Sequence, residues 1–153
     1  MLKPTKILVP TDFSNYSRTA LKQAIDIATE YSAEIHVLHV IEDKIHSFYD
    51  DELTGQTTSR ETIRRIEKKE IKAAEEKMRR HLEKNVNNNT VKVFSKVIKG
   101  IPTTEILNFQ RKNKIDLLVI SSLGHGGLAE YFIGSVARNV LKGSTCPVLL
   151  TKT

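Results

Sequence analysis

Lys6-Ile-Leu-Val-Pro-Thr-Asp-Phe-Ser14 is the segment from which the architecture of this 153-residue chain can be worked out. Its apolar part predicts a short buried strand over residues 6–9, which Pro10 breaks before small polar residues that can cap a helix. From Asn15 to Tyr31, apolar residues return at helical spacing, which predicts a helix with one face packed on a sheet. The chain is therefore expected to begin with a strand, a loop and a helix.

The alternation of strands and helices continues along the chain. Further strands are predicted at 34–41, 91–98, 116–121 and 147–151, and further helices at 60–84, at about 101–112 and at 135–143. Because a helix separates each pair of successive strands, we expect a parallel sheet with helices on both faces. Ligands of such sheets bind beyond the carboxyl ends of the strands, where the strand order reverses. Residues 42–59, rich in acidic and small polar residues, are expected to form a long excursion that could act as a lid.

The composition is that of an ordinary globular protein. Hydrophobic residues make up 39% of the chain and charged residues 27%, which excludes wholesale disorder and fibrous repeats. One domain over residues 1–153 is expected. Since no apolar run reaches the roughly 20 residues of a membrane span and the start does not resemble a signal peptide, a soluble cytoplasmic protein is expected. The single cysteine, Cys146, cannot form an internal disulfide and is expected to be a small buried residue.

The chain carries a formal net charge of +6, which raises nucleic acid or an anionic small molecule as a partner. Between Arg60 and Lys84, ten Lys or Arg residues accompany six Asp or Glu residues, and no Phe, Tyr or Trp lies among them. A nucleic-acid surface would need charge of one sign joined to aromatic or base-reading residues. The basic helix is therefore interpreted as a solvated face, and nucleic acid is not the expected partner.

Four of the seven glycines lie between Gly124 and Gly134, directly after the fourth predicted strand. Glycine lets backbone N–H groups converge, and a helix beginning at Gly134-Ser135 adds exposed amides and the positive end of a helix dipole. The pattern predicts an anion cradle suited to phosphate, although the glycines could also serve only a flexible loop. The G-x-x-x-x-G-K-[ST] motif is absent, and no Asp or Glu follows Glu130 to hold a ribose in the manner of dehydrogenases.

Several titratable side chains fall near this predicted ligand site. Asp12, at the end of the first strand, can accept hydrogen bonds from two ribose hydroxyls or can cap the helix that follows. His36 and His39 point to opposite faces of one strand, so they cannot share a metal, and structural roles are expected for both. His125 could hydrogen-bond a phosphate, but no acid that would support it in catalysis is identifiable. No metal site is expected.

The chain resembles the universal stress protein family along essentially its whole length. Three blocks carry the resemblance, namely Ile7-Leu-Val-Pro-Thr-Asp-Phe-Ser14, Val37-Leu-His-Val40 and the segment from Gly124 to Pro147. The resemblance implies an α/β fold with an open five-stranded parallel sheet in the order 3-2-1-4-5, helices on both faces, similar to adenine nucleotide α-hydrolases. It also implies a homodimer built through the last strand, Pro147 to Thr151.

The ATP-binding branch of this family carries the pattern G-x-x-G, nine residues, then G-[S/T]. Gly124, the next nine residues and Gly134-Ser135 keep the pattern, while Ser121 replaces its first glycine. The resemblance implies a site for ATP with Mg²⁺, in which a serine side chain stands where the ligand passes close to the backbone. The serine hydroxyl could itself donate to a phosphate or ribose oxygen. The implied site comprises Pro10, Thr11 and Val40 at the adenine, Asp12 at the ribose, Ile120 and Ser121 at the end of the fourth strand, and Gly124, His125, Gly126, Gly127, Gly134, Ser135 and Val136 at the phosphates.

The expected function is a nucleotide-binding regulatory module of the stress-response type. In this hypothesis the glycine loop orders around the phosphates, and the helix after Gly134 carries the change to a dimer interface. The alternatives are a stress protein that acts only through interactions because its pocket is degenerate, and a slow ATP hydrolase. Hydrolysis needs a base or a positioned water beside the terminal phosphate, and only His125 or Asp12 could serve, so an enzyme is not the expected class.

Overall fold

A computed structural model gives the architecture and describes residues 3–43, 59–86, 91–123 and 133–152. Strands and helices alternate through these ranges. The elements are β1 Lys6–Pro10, α1 Asn15–Tyr31, β2 Glu34–Glu42, α2 Arg60–Asn85, β3 Val93–Gly100, α3 Pro102–Lys112, β4 Leu117–Ser121, α4 Ser135–Gly143 and β5 Val148–Thr151. Residues 44–58 of the predicted lid lie outside the described ranges, so the lid stays a prediction.

The strands form a five-stranded parallel sheet in the order β3-β2-β1-β4-β5, which confirms the predicted fold. Alternate residues of the central strand β1 face different layers. Ile7 and Val9 pack in a cluster with residues of α1 and α2, whereas Leu8 packs in a cluster with residues of α3 and α4. Because helices cover both faces, the run from Ile7 to Val9 is fully buried, which explains why it is uniformly apolar.

The ends of α1 are defined by two serines. The Ser14 side chain accepts a hydrogen bond from the Ser17 N–H at 3.1 Å and so caps the N-terminus. At the other end, Ser32 adopts a left-handed conformation with φ of 55°, and its N–H donates to the Ala28 carbonyl. Ser14, rather than Asp12, is therefore the N-cap of α1.

The predicted bounds of the elements agree with the structure to within two residues. The largest difference is in the third strand, predicted at 91–98, which runs from Val93 to Gly100 because β2 extends to Glu42 and Glu42 pairs with Gly100. The expectation that Cys146 is buried was wrong: it is only partly buried, since it lies in the turn that leads into the edge strand β5.

The long helix α2 is buried mainly through its second half, where Met78 and His81 lie. Ile66, in the first half and at a position whose helical spacing predicts burial, is 37% exposed. Within the described residues, no helix is both long enough and apolar enough to cross a membrane.

Asp116 fastens the residues before β1 to the start of β4. Its carboxylate oxygens accept hydrogen bonds from the backbone N–H groups of Thr5 and Lys6 and from the Thr5 hydroxyl, at 2.6 to 3.1 Å. Burial by itself raises the pKa of a carboxyl, but these hydrogen bonds outweigh it and hold the pKa of Asp116 below its ordinary value of 3.8. This contact ties the two central strands together at the end opposite to their carboxyl ends.

Candidate functional site

The candidate site lies at the carboxyl ends of β1 and β4, because the strand order reverses between these two strands. β2 lies on the other side of β1 and contributes its own carboxyl end, with Pro10 opposite Leu38. The predicted site residues that the structure describes are Pro10, Thr11, Asp12, Val40, Ile120, Ser121, Gly134, Ser135 and Val136. Gly124, His125, Gly126 and Gly127 lie outside the described residues.

Thr11 is held firmly at the start of the loop that follows β1. Its N–H donates to the Leu38 carbonyl at 2.8 Å, which continues the pairing of β1 with β2 by one residue. Its hydroxyl lies 3.0 Å from the Ser17 hydroxyl and accepts the Phe13 N–H at 3.0 Å. These contacts, together with 6% exposure, give the loop a defined backbone before any ligand is present.

Asp12 stabilises the turn between β1 and α1. Its Oδ1 atom accepts the Ser14 N–H at 3.0 Å, a turn typical of aspartate that leads into the helix. The two roles predicted for Asp12, helix capping and ribose binding, are therefore not exclusive. A carboxylate has acceptor sites for about four hydrogen bonds, so the bond from Ser14 leaves it chemically able to bind ribose hydroxyls.

An apolar surface next to this turn joins three elements. Ile120 of β4 is buried in the cluster on the α3 and α4 side of the sheet, and Val40 of β2 and Val136 of α4 pack against that same cluster. Side chains that the sequence separates by up to 96 positions thus share one apolar layer at the candidate site. A flat, mainly apolar group such as a nucleobase is suited to such a layer.

The N-terminus of α4 faces the carboxyl end of β4. The Gly134 N–H donates to the Ser122 carbonyl at 2.7 Å, which places the helix start against the end of the strand. Across the described ranges, α1 has a serine cap, whereas no side chain caps α4. The first N–H groups of a helix have no partner within the helix, and with the helix dipole they favour an anion.

Ser121 uses its hydroxyl within its own turn. Its Oγ donates to the Leu123 carbonyl at 2.8 Å, and the residue is 9% exposed. A hydroxyl has one proton to donate, so in this conformation Ser121 has none for a ligand. The side chain that replaces the first glycine of the family pattern therefore closes the turn after β4.

Two residues that the sequence did not assign to the site support its first loop. The His39 Nδ1 atom lies 2.8 Å from the Thr11 carbonyl, and because a carbonyl only accepts, this nitrogen carries the proton. Phe13 has φ of 65°, a left-handed conformation that is rare for a bulky residue, and its ring centroid lies 4.4 Å from that of His39. Burial lowers the pKa of His39, against the opposing effect of its bond to Thr11. No sequence pattern signals a positive φ at a phenylalanine.

His36 and His39 lie on opposite faces of β2, as predicted. The His36 ring stacks on Phe94 with centroids 5.1 Å apart, and its Nε2 atom lies 3.0 Å from the Glu34 carboxylate. This contact with His36 lowers the pKa of Glu34. In the part of the chain that is described, no group of three or more His, Cys, Asp or Glu side chains is placed to hold a metal ion.

Known proteins share both the sequence and this arrangement. Residues 4–152 match the universal stress protein family. Universal stress protein MJ0531 of Methanocaldococcus jannaschii is 36% identical over 147 residues, covering 96% of this chain and 81% of that protein. Universal stress protein YxiE of Bacillus subtilis is 36% identical over 152 residues, covering 96% of this chain and 98% of that protein.

Solved structures extend the comparison. The structure of hypothetical protein MJ0577 of Methanocaldococcus jannaschii has a TM-score of 0.82 at 31% identity, covering 99% of this chain and 98% of that one. A universal stress protein in complex with cAMP and one from Archaeoglobus fulgidus in complex with dAMP share the fold, with TM-scores of 0.65 and 0.56 at 19% and 21% identity. Each covers 99% of this chain, and 98% and 100% of its own chain is covered. Since the family match spans nearly every residue and two relatives are 36% identical, the chain belongs to the universal stress protein family.

Proposed function

We propose that this protein binds an adenine nucleotide, ATP with Mg²⁺, and acts as a cytoplasmic regulatory module. The observation that carries the proposal is the uncapped N-terminus of α4, which meets the end of β4 beside the loop that holds Asp12. A phosphate suits the helix terminus, a base suits the apolar layer and a ribose suits the carboxylate. These three kinds of surface lie together where ligands of such sheets bind.

Each element of the site has a proposed role. Pro10, Thr11, Val40 and Ile120 would line the adenine, and Asp12 would accept hydrogen bonds from the ribose hydroxyls. The phosphates would be held by backbone N–H groups and a hydroxyl at Gly134, Ser135 and Val136, with Gly124, His125, Gly126 and Gly127. Mg²⁺ in such sites is bound largely by substrate phosphates, in keeping with the lack of a metal-ligand cluster among the described residues.

Related proteins support the class of ligand. Two universal stress proteins of the same fold have been solved with cAMP and with dAMP, both of them adenine nucleotides. The choice of ATP rests instead on the glycine pattern after β4, three of whose four marks this chain keeps.

Ser121 would act on the shape of the site rather than as a direct ligand. Its hydroxyl donates to the Leu123 carbonyl, so the side chain lies folded into its own turn. We therefore expect the loss of the pattern's first glycine to change nucleotide affinity without abolishing it.

The proposal is tested by identifying and titrating the nucleotide. The purified protein is denatured, any released small molecule is identified by mass spectrometry, and the refolded or nucleotide-free protein is titrated with MgATP by calorimetry. We expect ATP or a related adenine nucleotide to be released or to bind, with GTP as the comparison ligand. An empty protein that gives no heat with any adenine nucleotide, confirmed by a second binding method, would leave the interaction-only alternative.

The edge strand β5 is the proposed dimer contact. It ends the sheet, and its Val148, Leu149 and Leu150 are only partly buried in the chain alone. A strand edge with partly covered apolar side chains is suited to pairing with a second copy. We propose a homodimer through Pro147 to Thr151 whose stability responds to the nucleotide through α4.

Sedimentation velocity measures this coupling directly. Because α4 directly precedes β5 in the chain, we expect MgATP to shift the equilibrium between monomer and dimer. A dimer with the same dissociation constant in the presence and absence of MgATP would contradict the coupling while leaving nucleotide binding intact.

A further inference from the structure

Phe13 sits in a ring cluster, defined here as Phe13, His39 and His81, that joins the first loop of the site to β2 and α2. The Phe13 ring centroid lies 4.4 Å from that of His39 and 5.5 Å from that of His81, the latter in an edge-to-face arrangement. The Lys77 Nζ atom lies 4.7 Å from the Phe13 centroid, within the range of a cation–π contact. Contacts from several sides hold Phe13 at its φ of 65°, a backbone conformation that costs on the order of 1–2 kcal/mol.

His81 is the one member of the ring cluster with a buried polar atom that has no partner. The residue is 8% exposed, and among the described residues nothing hydrogen-bonds to its Nε2 atom. A neutral imidazole can leave this nitrogen without a proton, whereas the charged form would bury an N–H donor and a positive charge. Burial lowers the pKa of His81 from its ordinary value of 6.5, and the positive charges of Arg18 and Lys77 lower it further.

The charges around the ring cluster oppose protonation at His81. Arg18 approaches from α1 and Lys77 from α2 itself. Asp12, in the loop, acts on His39 and favours its charged form, as does the Thr11 carbonyl that accepts from the His39 Nδ1–H. His39 therefore has an acceptor for a charged ring, but His81 has none among these groups.

We propose that His81 is a proton-sensitive positioning residue, whose protonation opens the ring cluster and weakens nucleotide binding at the Thr11–Asp12 turn. The nucleotide in this inference rests on the proposed function above. When the His81 ring is charged it leaves its apolar surroundings, Phe13 loses one wall, and its left-handed backbone relaxes. Phe13 directly follows Asp12 and donates its N–H to the Thr11 hydroxyl, so this relaxation disturbs both site residues.

The direction of the pH effect follows from the two states of His81. In the closed cluster the pKa is lowered, and in an open, hydrated state it returns to about 6.5. The open state therefore binds more protons at pH values between these two limits. The closed cluster is fully favoured above pH 6.5 and loses its advantage as the pH falls through that range.

The first measurement uses the nucleotide-free protein, so it does not depend on the proposed function. NMR follows the His81 ring and the backbone amides of Thr11, Asp12 and Phe13 as the pH falls from about 7.5 to about 5. We expect the loop amides to shift with the same midpoint as His81, below 6.5. In His81→Leu, which keeps an apolar wall but cannot titrate, the shift should disappear. Loop amides that do not respond in the wild type, or that respond equally in His81→Leu, would overturn the inference.

A matched variant separates His81 from histidine titration in general. His36 lies on the opposite face of β2, against Phe94 and Glu34, so His36→Gln should keep the wild-type loop response. If His81→Leu does not fold, the wild-type comparison of the His81 and loop midpoints still decides the result.

The second measurement is the affinity for MgATP at about pH 7.5 and about pH 5.5. We expect the wild type and His36→Gln to lose affinity several-fold at the lower pH relative to His81→Leu, which cancels the protonation of ATP itself. Equal pH dependence in all three proteins would overturn the inference. Loop amides that respond as expected in a protein without affinity for any nucleotide would instead contradict the proposed function alone.

Discussion

Replacing Asp12 with asparagine is expected to lower the affinity for MgATP about 10-fold to 100-fold while leaving the fold intact. Asparagine keeps the Oδ1 acceptor that binds the Ser14 N–H, so the turn into α1 is preserved. It loses the second acceptor oxygen and the negative charge. One hydrogen bond to a charged group contributes about 1.5–3 kcal/mol, which corresponds to this range of affinity. Calorimetry with MgATP gives the affinity, and thermal unfolding checks the fold.

Asp26→Asn is the matched control for this prediction. Asp26 is an exposed residue of α1, and its replacement makes the same change in net charge. We expect its affinity to equal that of the wild type. Tighter binding of MgATP by Asp12→Asn would mean that the carboxylate repels the phosphates, which would contradict its assignment to the ribose.

Replacing Asp116 with alanine is expected to lower the free energy of unfolding at neutral pH by about 1.5–3 kcal/mol, the usual contribution of hydrogen bonds to a charged group. The variant loses the acceptors for the N–H groups of Thr5 and Lys6 and for the Thr5 hydroxyl. Denaturant unfolding followed by circular dichroism measures the change. Asp26→Ala, which removes an exposed carboxylate, should leave stability nearly unchanged.

The contribution of Asp116 also depends on pH. Because its pKa in the folded protein lies below 3.8, the stabilisation is complete above about pH 3.8 and is lost as the pH falls through the lowered value. The difference in stability between the wild type and Asp116→Ala should therefore shrink in acid. A difference that stays constant down to low pH would contradict the role assigned to this carboxylate.

The fold could be predicted from local patterns because burial on both faces of a sheet leaves a clear trace in the sequence. The run Ile7-Leu-Val9 is apolar at every position, since its alternate side chains meet helices on opposite sides. Pro10 and Ser14 mark the end of β1 and the start of α1 for reasons that concern only neighbouring residues. The exact extent of β3 could not be predicted in this way, because it depends on how far β2 offers backbone partners.

The candidate site was predicted only in part from its residue types. Glycine clustering and a carboxylate after the first strand suggest a phosphate and a ribose whatever the rest of the chain does. The hydrogen bond of Ser121 to the Leu123 carbonyl has no such signal, because a serine hydroxyl can turn toward a ligand or toward its own backbone. Only the path of the chain after β4 selects between the two.

Local sequence alone thus accounts for the order of strands and helices, the parallel sheet and the identity of the residues at its carboxyl edge. The three-dimensional arrangement accounts for the ring cluster, in which Phe13, His39 and His81 come from segments up to 68 positions apart. A left-handed φ at Phe13 and a buried imidazole at His81 are both unfavourable when considered one residue at a time. They are stable here because α2 packs against the loop after β1, and packing between distant segments is not written in the pattern of either one.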